Sequence, residues 1–188
     1  MAPGTALTVL YMALSTFLPN KGDKEPFCYY PKIFKPTMTA NSKPVDIQKY
    51  SGTWYDIAHK VTDFQTKCKC SKATYTYEQE AKRIAVHNQC VLHKGGETDI
   101  KGFAYSQNEE NTKLEVYFNK IIPGNYWILD LDETYQNVIV GEPCKKFMWF
   151  LSRSSTMSDE QLEKMKKIAI EKGFDVSDLV LRPTDCPL

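Results

Sequence analysis

The side chains whose types could do chemistry are six cysteines, three histidines and an aspartate set in an apolar stretch. The cysteines are Cys28, Cys68, Cys70, Cys90, Cys144 and Cys186. A chain of 188 residues can fold without staples, so six cysteines point to disulfides and an oxidising compartment. Spacing alone leaves their pairing open. Cys68-Lys69-Cys70 could form half a zinc site, but the two are too closely spaced for a zinc knuckle. No matching Cys/His pair follows, so no metal is expected. The aspartate is Asp56, two residues beyond Trp54. Proton transfer needs a positioned partner within hydrogen-bond reach. No second acid is expected on Asp56's face, and His59, His87 and His93 are expected to point outward. Cys90 is the one thiol expected to point inward, in oxidised form. The chain is therefore not expected to be an enzyme.

Composition narrows the partners. The formal net charge is +1, and no basic block exists, so nucleic acid is excluded as a partner. Tyr, with 11 copies, leads the aromatics, and it suits surfaces that meet a ligand or water at one end. Ala6 to Leu18 is an apolar run, short for a membrane span and right for a signal-peptide core, although no Lys or Arg precedes it. The expected organisation is a signal peptide over 1–20, a proline-rich leader over 21–49 and one domain over 50–188.

The elements that must position these residues are short strands. From Thr53 the hydrophobic period is two. Strands are expected over Thr53–Val61, Ala73–Gln79, Arg83–Leu92, Thr98–Ser106, Lys113–Asn119, Tyr126–Asp130, Asn137–Val140 and Lys146–Arg153, with a short edge strand in Val176–Leu181. Strands at hairpin spacing without alternating helices mean a sandwich or an antiparallel barrel. One helix follows. Ser158 and Gln161 form a capping box, Leu162, Met165, Ile168 and Ala169 share a face, and Gly173 stops it. If Trp54 points inward, Asp56 and Ala58 join it. The other inward sets are Ala73/Tyr75/Tyr77, Val86/Asn88/Cys90, Ile100/Gly102/Ala104, Leu114/Val116/Phe118, Tyr126/Ile128, Val138/Val140 and Phe147/Trp149/Leu151. Small residues facing large ones should leave room for one small ligand. Asp56 and Asn88 either bond tyrosine hydroxyls or meet that ligand's polar end. Exposed Tyr55, Trp127 or Met148 could alternatively form a protein-docking surface.

Three short motifs, Gly52-Thr53-Trp54-Tyr55-Asp56-Ile57-Ala58, Leu131-Asp132-Glu133-Thr134-Tyr135 and Trp149-Phe150-Leu151-Ser152-Arg153, stand in order before the capped helix. With them the chain resembles the lipocalin family, in particular bacterial outer-membrane lipocalins and apolipoprotein D. The placing of Cys68, Cys70 and Cys90 is similar to that in chloroplast lipocalins of plants. The resemblance implies an all-β fold: an eight-stranded antiparallel up-and-down barrel with one C-terminal helix packed on its outside. It implies the disulfides Cys28–Cys144 and Cys70–Cys186, leaving Cys68–Cys90 as a local pair. It also implies a carrier of one small hydrophobic ligand, a fatty acid or lysophospholipid, with biliverdin or a carotenoid as the alternative. A lipocalin-type isomerase or de-epoxidase is the rival class. The expected lining is Asp56, Tyr75, Tyr77, Asn88, Ile100, Val116, Phe118, Tyr126 and Trp149, with Trp54 and Arg153 structural. No cofactor is expected. A weak homodimer and a membrane-surface contact are left open. The expected location is extracellular, with the plastid lumen as the alternative.

Overall fold

Each of nine strands pairs antiparallel with its neighbours, and a computed structural model describes them over residues 38–118 and 123–188. The leading segment through residue 37, with the expected signal peptide and Cys28, lies outside the described residues. A four-residue helix, α1 (Ile47–Tyr50), precedes the strands; Asp46 caps it by accepting from the Gln48 and Lys49 amides. The strands are β1 (Gly52–Lys60), β2 (Cys68–Glu78), β3 (Arg83–Leu92), β4 (Glu97–Ser106), β5 (Lys113–Tyr117), β6 (Gly124–Leu131), β7 (Asn137–Gly141), β8 (Met148–Ser152) and β9 (Leu179–Leu181). Helix α2 (Asp159–Glu171) lies between β8 and β9. Strands β2 to β8 follow in order, and β1 closes the ring by pairing with both β8 and β2. This is an eight-stranded up-and-down barrel, a solution that leaves the ring without exposed edges.

Strand β1 does not run straight. It pairs with β2 only from Gly52 to Tyr55, and its register against β8 shifts between Asp56 and Ala58. The bulge turns the second half of β1 away from β2. Strand β9 covers the edge so exposed, pairing Ala58 with Leu181 and Lys60 with Leu179. Disulfide Cys70–Cys186 ties the tail to β2 across the same gap, and Cys68–Cys90 links β2 to β3. Cys144 is also disulfide-bonded.

Two apolar cores follow from the alternation. Inside the barrel, Trp54, Tyr75, Val86, Val116, Ile128, Val138 and Leu151 pack together. Outside it, Trp127, Leu129, Ile139, Met148 and Phe150 pack beneath α2, against Met165 and Ala169, with Met38 and Phe174 at the margins. Trp127 and Met148 are therefore buried rather than exposed, which removes the docking surface they were expected to offer. The bulge corrects another expectation: Ala58 belongs to the outer core, not the inner one. Helix α2 is capped by Ser158, which accepts from the Gln161 amide, with Asp159 and Glu160 in the first turn favouring its positive end. Gly173 ends it at φ +85°.

Arg153 seals the end of the barrel where β1 starts. Its guanidinium carbon lies 3.8 Å from the centre of the Trp54 ring. Its nitrogens donate to the carbonyls of Lys49, Tyr50, Ser51 and Thr53 at 2.8–3.0 Å, and to that of Tyr135 at 3.3 Å. The Trp54 indole N–H donates to the Tyr50 carbonyl. Gly52 permits the approach: it has φ +105°, and a Cβ there would sit 3.0 Å from Arg153 Nη1. Replacing Arg153 by Ala should lower unfolding stability by about 2–4 kcal/mol, since charged hydrogen bonds and the ring contact go together. Denaturant unfolding measures this, and a loss below about 1 kcal/mol would show that the seal contributes little.

Candidate functional site

The inward side chains form two tiers. The lower tier, towards α1, is solid. Its void, about 10 Å³ between Tyr50, Tyr75, Ile84, Val86, Ala104, Leu114, Val116 and Tyr126, has room for one water at most. Three tyrosines build this floor. Tyr50 and Tyr126 hydroxyls are 2.6 Å apart, and Tyr126 donates to Tyr75 at 3.1 Å. Tyr50 and Tyr75 stack at 5.7 Å. Burial pushes the Tyr75 hydroxyl up to about 12, and it pushes Tyr50 and Tyr126 well above the usual range. Tyr75, Val116 and Tyr126 of the expected lining thus belong to the packed floor.

The upper tier keeps accessible surface although it faces inward. Ala73, Asn88, Ile100, Phe118 and Trp149 are all partly accessible inside closed walls. Gly102, expected to leave space, instead admits the neighbouring strand: a Cβ there would meet the Tyr117 carbonyl oxygen at 2.3 Å and Phe118 Cδ1 at 2.8 Å. At the mouth Phe147 stacks on Trp149 at 6.1 Å, and Phe64 meets Phe147 at 5.7 Å. Buried Glu142 shapes that turn by accepting from the amides of Cys144, Lys146 and Phe147.

One polar network runs through this tier. Trp149 Nε1 donates to Gln65 Oε1 at 2.8 Å. Gln65 Nε2 donates to Asp56 Oδ2 at 3.1 Å, and Ser71 Oγ donates to the same oxygen at 2.8 Å. His59 Nδ1 lies 2.9 Å from Asp56 Oδ2. His59 was expected to point outward, but the bulge between Asp56 and Ala58 turns it to the inner face, opposite Trp149. Asp56 therefore has a titratable neighbour after all. The group is not a nucleophile–base–acid set, because Ser71 bonds the carboxylate and not the imidazole. Cys90 is in a disulfide, so it offers no thiolate. The alternation gave no signal for Gln65 or Phe64, which lie on the β1–β2 loop. His87 is on the outer face as expected, 2.8 Å from Asp99. Tyr77 lies at the other end of the barrel, in an open recess of about 810 Å³ between α1 and the β2–β3 and β4–β5 turns. Three polar side chains of that recess already have partners: Arg83 has Glu78, Asn111 the Val45 carbonyl and Ser106 the Asn108 carbonyl. Among the described residues no acidic, His and Cys cluster could hold a metal.

A family model of the lipocalin-like domain matches residues 45–184. The chain is 34% identical to temperature-induced lipocalin-1 of Arabidopsis thaliana, over 77% of this chain and 83% of that one. It is 30% identical to outer membrane lipoprotein Blc of Escherichia coli, over 72% of this chain and 77% of that one. It is 31% identical to apolipoprotein D of Mus musculus, over 76% and 79% respectively. Among solved structures, lobster apocrustacyanin superposes with TM-score 0.61 at 17% identity, covering 83% of this chain and 96% of that one. Insecticyanin of Manduca sexta superposes with TM-score 0.60 at 20% identity, covering 79% and 87%. With barrel, flanking helix and sealed end in place, the chain belongs to the lipocalin family.

The floor makes a pH prediction. A tyrosine whose folded pKa lies above its unfolded value of 10.0 keeps its proton better when folded. Its contribution is complete below 10.0 and is lost as pH rises towards about 12. Melting temperature should therefore fall across that window, and tyrosinate absorbance from these residues should appear only on unfolding. Tyr75→Phe should flatten the slope. Normal ionisation of all tyrosines in the folded protein would contradict a dry floor.

Proposed function

We propose that this protein carries one small hydrophobic ligand in the upper tier of its barrel. The observation that carries the reading is the contrast between tiers: inward side chains at the mouth keep accessible surface while the floor is filled. A fatty acid or a lysophospholipid is the leading class. Burying about ten methylenes gains roughly 8 kcal/mol gross. Association costs of at least about 4 kcal/mol come off that. The roughly 4 kcal/mol that remains corresponds to about millimolar affinity, and two hydrogen bonds of about 1–1.5 kcal/mol each tighten it to roughly 10–40 micromolar. Val61 and Phe64, exposed at the mouth, suit loading from a membrane surface. The aromatic group Phe64–Phe147–Trp149 favours a second reading, a flat conjugated ligand such as biliverdin or a carotenoid. Binding without catalysis fits the disulfide-bonded Cys90, and the disulfides fit a secreted protein whose residues 1–20 act as a signal peptide and whose residues 21–49 form a leader.

Titration with a long-chain lysophospholipid, a fatty acid and biliverdin should quench tryptophan fluorescence and raise the melting temperature. Trp149→Phe should remove most of the quenching, because Trp54 and Trp127 are buried away from the mouth. No quenching and no thermal shift with any of the three would sink the carrier reading.

A further inference from the structure

Asp56 is only 6% exposed, and its two oxygens have different surroundings. Oδ2 takes Ser71 Oγ, Gln65 Nε2 and His59 Nδ1. Oδ1 is buried and has no hydrogen-bond partner among the described residues. Asn88 Oδ1 is in the same position. Glu142 gives the contrast within this chain. It is 3% exposed, and both its oxygens accept backbone amides. A buried acceptor left without a donor is costly. Both acceptors stand on inward-facing positions, two strands apart: Asp56 follows Trp54 on β1, and Asn88 on β3 faces Ala73 on the intervening β2. The nitrogen groups near Asp56 have other partners. His59 is bonded to Oδ2, and Arg182 donates to the Ser71 and Leu188 carbonyls.

Resting on the carrier reading, we propose that the lumen selects amphiphiles whose polar end donates a hydrogen bond to Asp56 Oδ1 or to Asn88 Oδ1. A hydroxyl, an amine or a ring N–H qualifies. A free carboxylate does not, since it brings acceptors and negative charge to an oxygen that lacks a donor. Among the ligand classes above, this places the N–H groups of a tetrapyrrole, or a lysophospholipid held with its glycerol hydroxyl on the wall and its phosphate in solvent, ahead of a fatty acid.

The test uses the full disulfide-bonded protein and three probes of equal chain: decanol, decyl methyl ether and decanoate. Decanol and the ether are both uncharged and differ in the donor. Decanol should bind at least about fivefold more tightly than either. At least one of Asp56→Asn and Asn88→Ala, made separately, should narrow the decanol-to-ether gap to about twofold. Equal affinity for decanol and ether, a preference for decanoate, or a gap that both folded variants preserve overturns the inference and leaves the carrier reading intact. Should Asp56→Asn fail to fold, the wild-type series and Asn88→Ala decide. Failure of all three probes to bind overturns the carrier reading itself, and the inference with it.

Discussion

The Arg153 guanidinium ties the last strand of the barrel to the segment that enters the first. It covers Trp54 and gathers the carbonyls of Lys49, Tyr50, Ser51 and Thr53, groups at a helix end and strand entry that would otherwise lie unsatisfied next to an apolar core. Everything above depends on that closure. It fixes α1 over the barrel end, and α1 brings in Tyr50, which completes the floor with Tyr126 and Tyr75. A solid floor separates the remaining inward surface from water at the α1 end, as the proposed carrier role requires. The loop motif belongs to the same joint: Asp132 accepts from Thr134, Gln136 and Asn137, and this turn places the Tyr135 carbonyl under Arg153. Burial works against it, yet these hydrogen bonds hold the Asp132 carboxyl below its usual range.

The opposite end is governed by the bulge in β1. A strand that continued straight would put Ala58 inside and His59 outside. The register shift reverses both, so Ala58 packs under α2 and His59 meets Asp56. The same bend opens the gap that β9, Arg182 and the Cys70–Cys186 disulfide fill. The His59–Asp56 contact and the attachment of the tail are thus two consequences of one irregular turn of backbone. The network from Trp149 through Gln65 to Asp56 then links the aromatic mouth to the polar wall.

Strand positions were legible because alternation, β-branched residues and turn residues agree along most of the chain. Strand β3, expected over Arg83–Leu92, has those bounds, and the helix cap at Ser158 and stop at Gly173 stand where their chemistry places them. The inward sets on β2 to β8 follow from parity alone. Parity failed at β1, where a bulge leaves no mark in residue types, and at Gly102, whose missing side chain admits a neighbouring strand's backbone instead of leaving a void.

Residue order by itself determined the antiparallel strands, the flanking helix and a mainly apolar interior, because these rest on local periodicity and capping chemistry, while the closed barrel and its Trp54–Arg153 pair were implied by the resemblance that three short motifs carry. Only the tertiary structure decided how that interior divides. Whether Tyr75 lines a cavity or fills a floor depends on Tyr50, which arrives from a separate helix. Whether Asp56 is solitary or bonded depends on side chains at positions 59, 65, 71 and 149, brought together by a bulge, a loop and two strands. Packing of distant segments sets those contacts, and no local pattern encodes them.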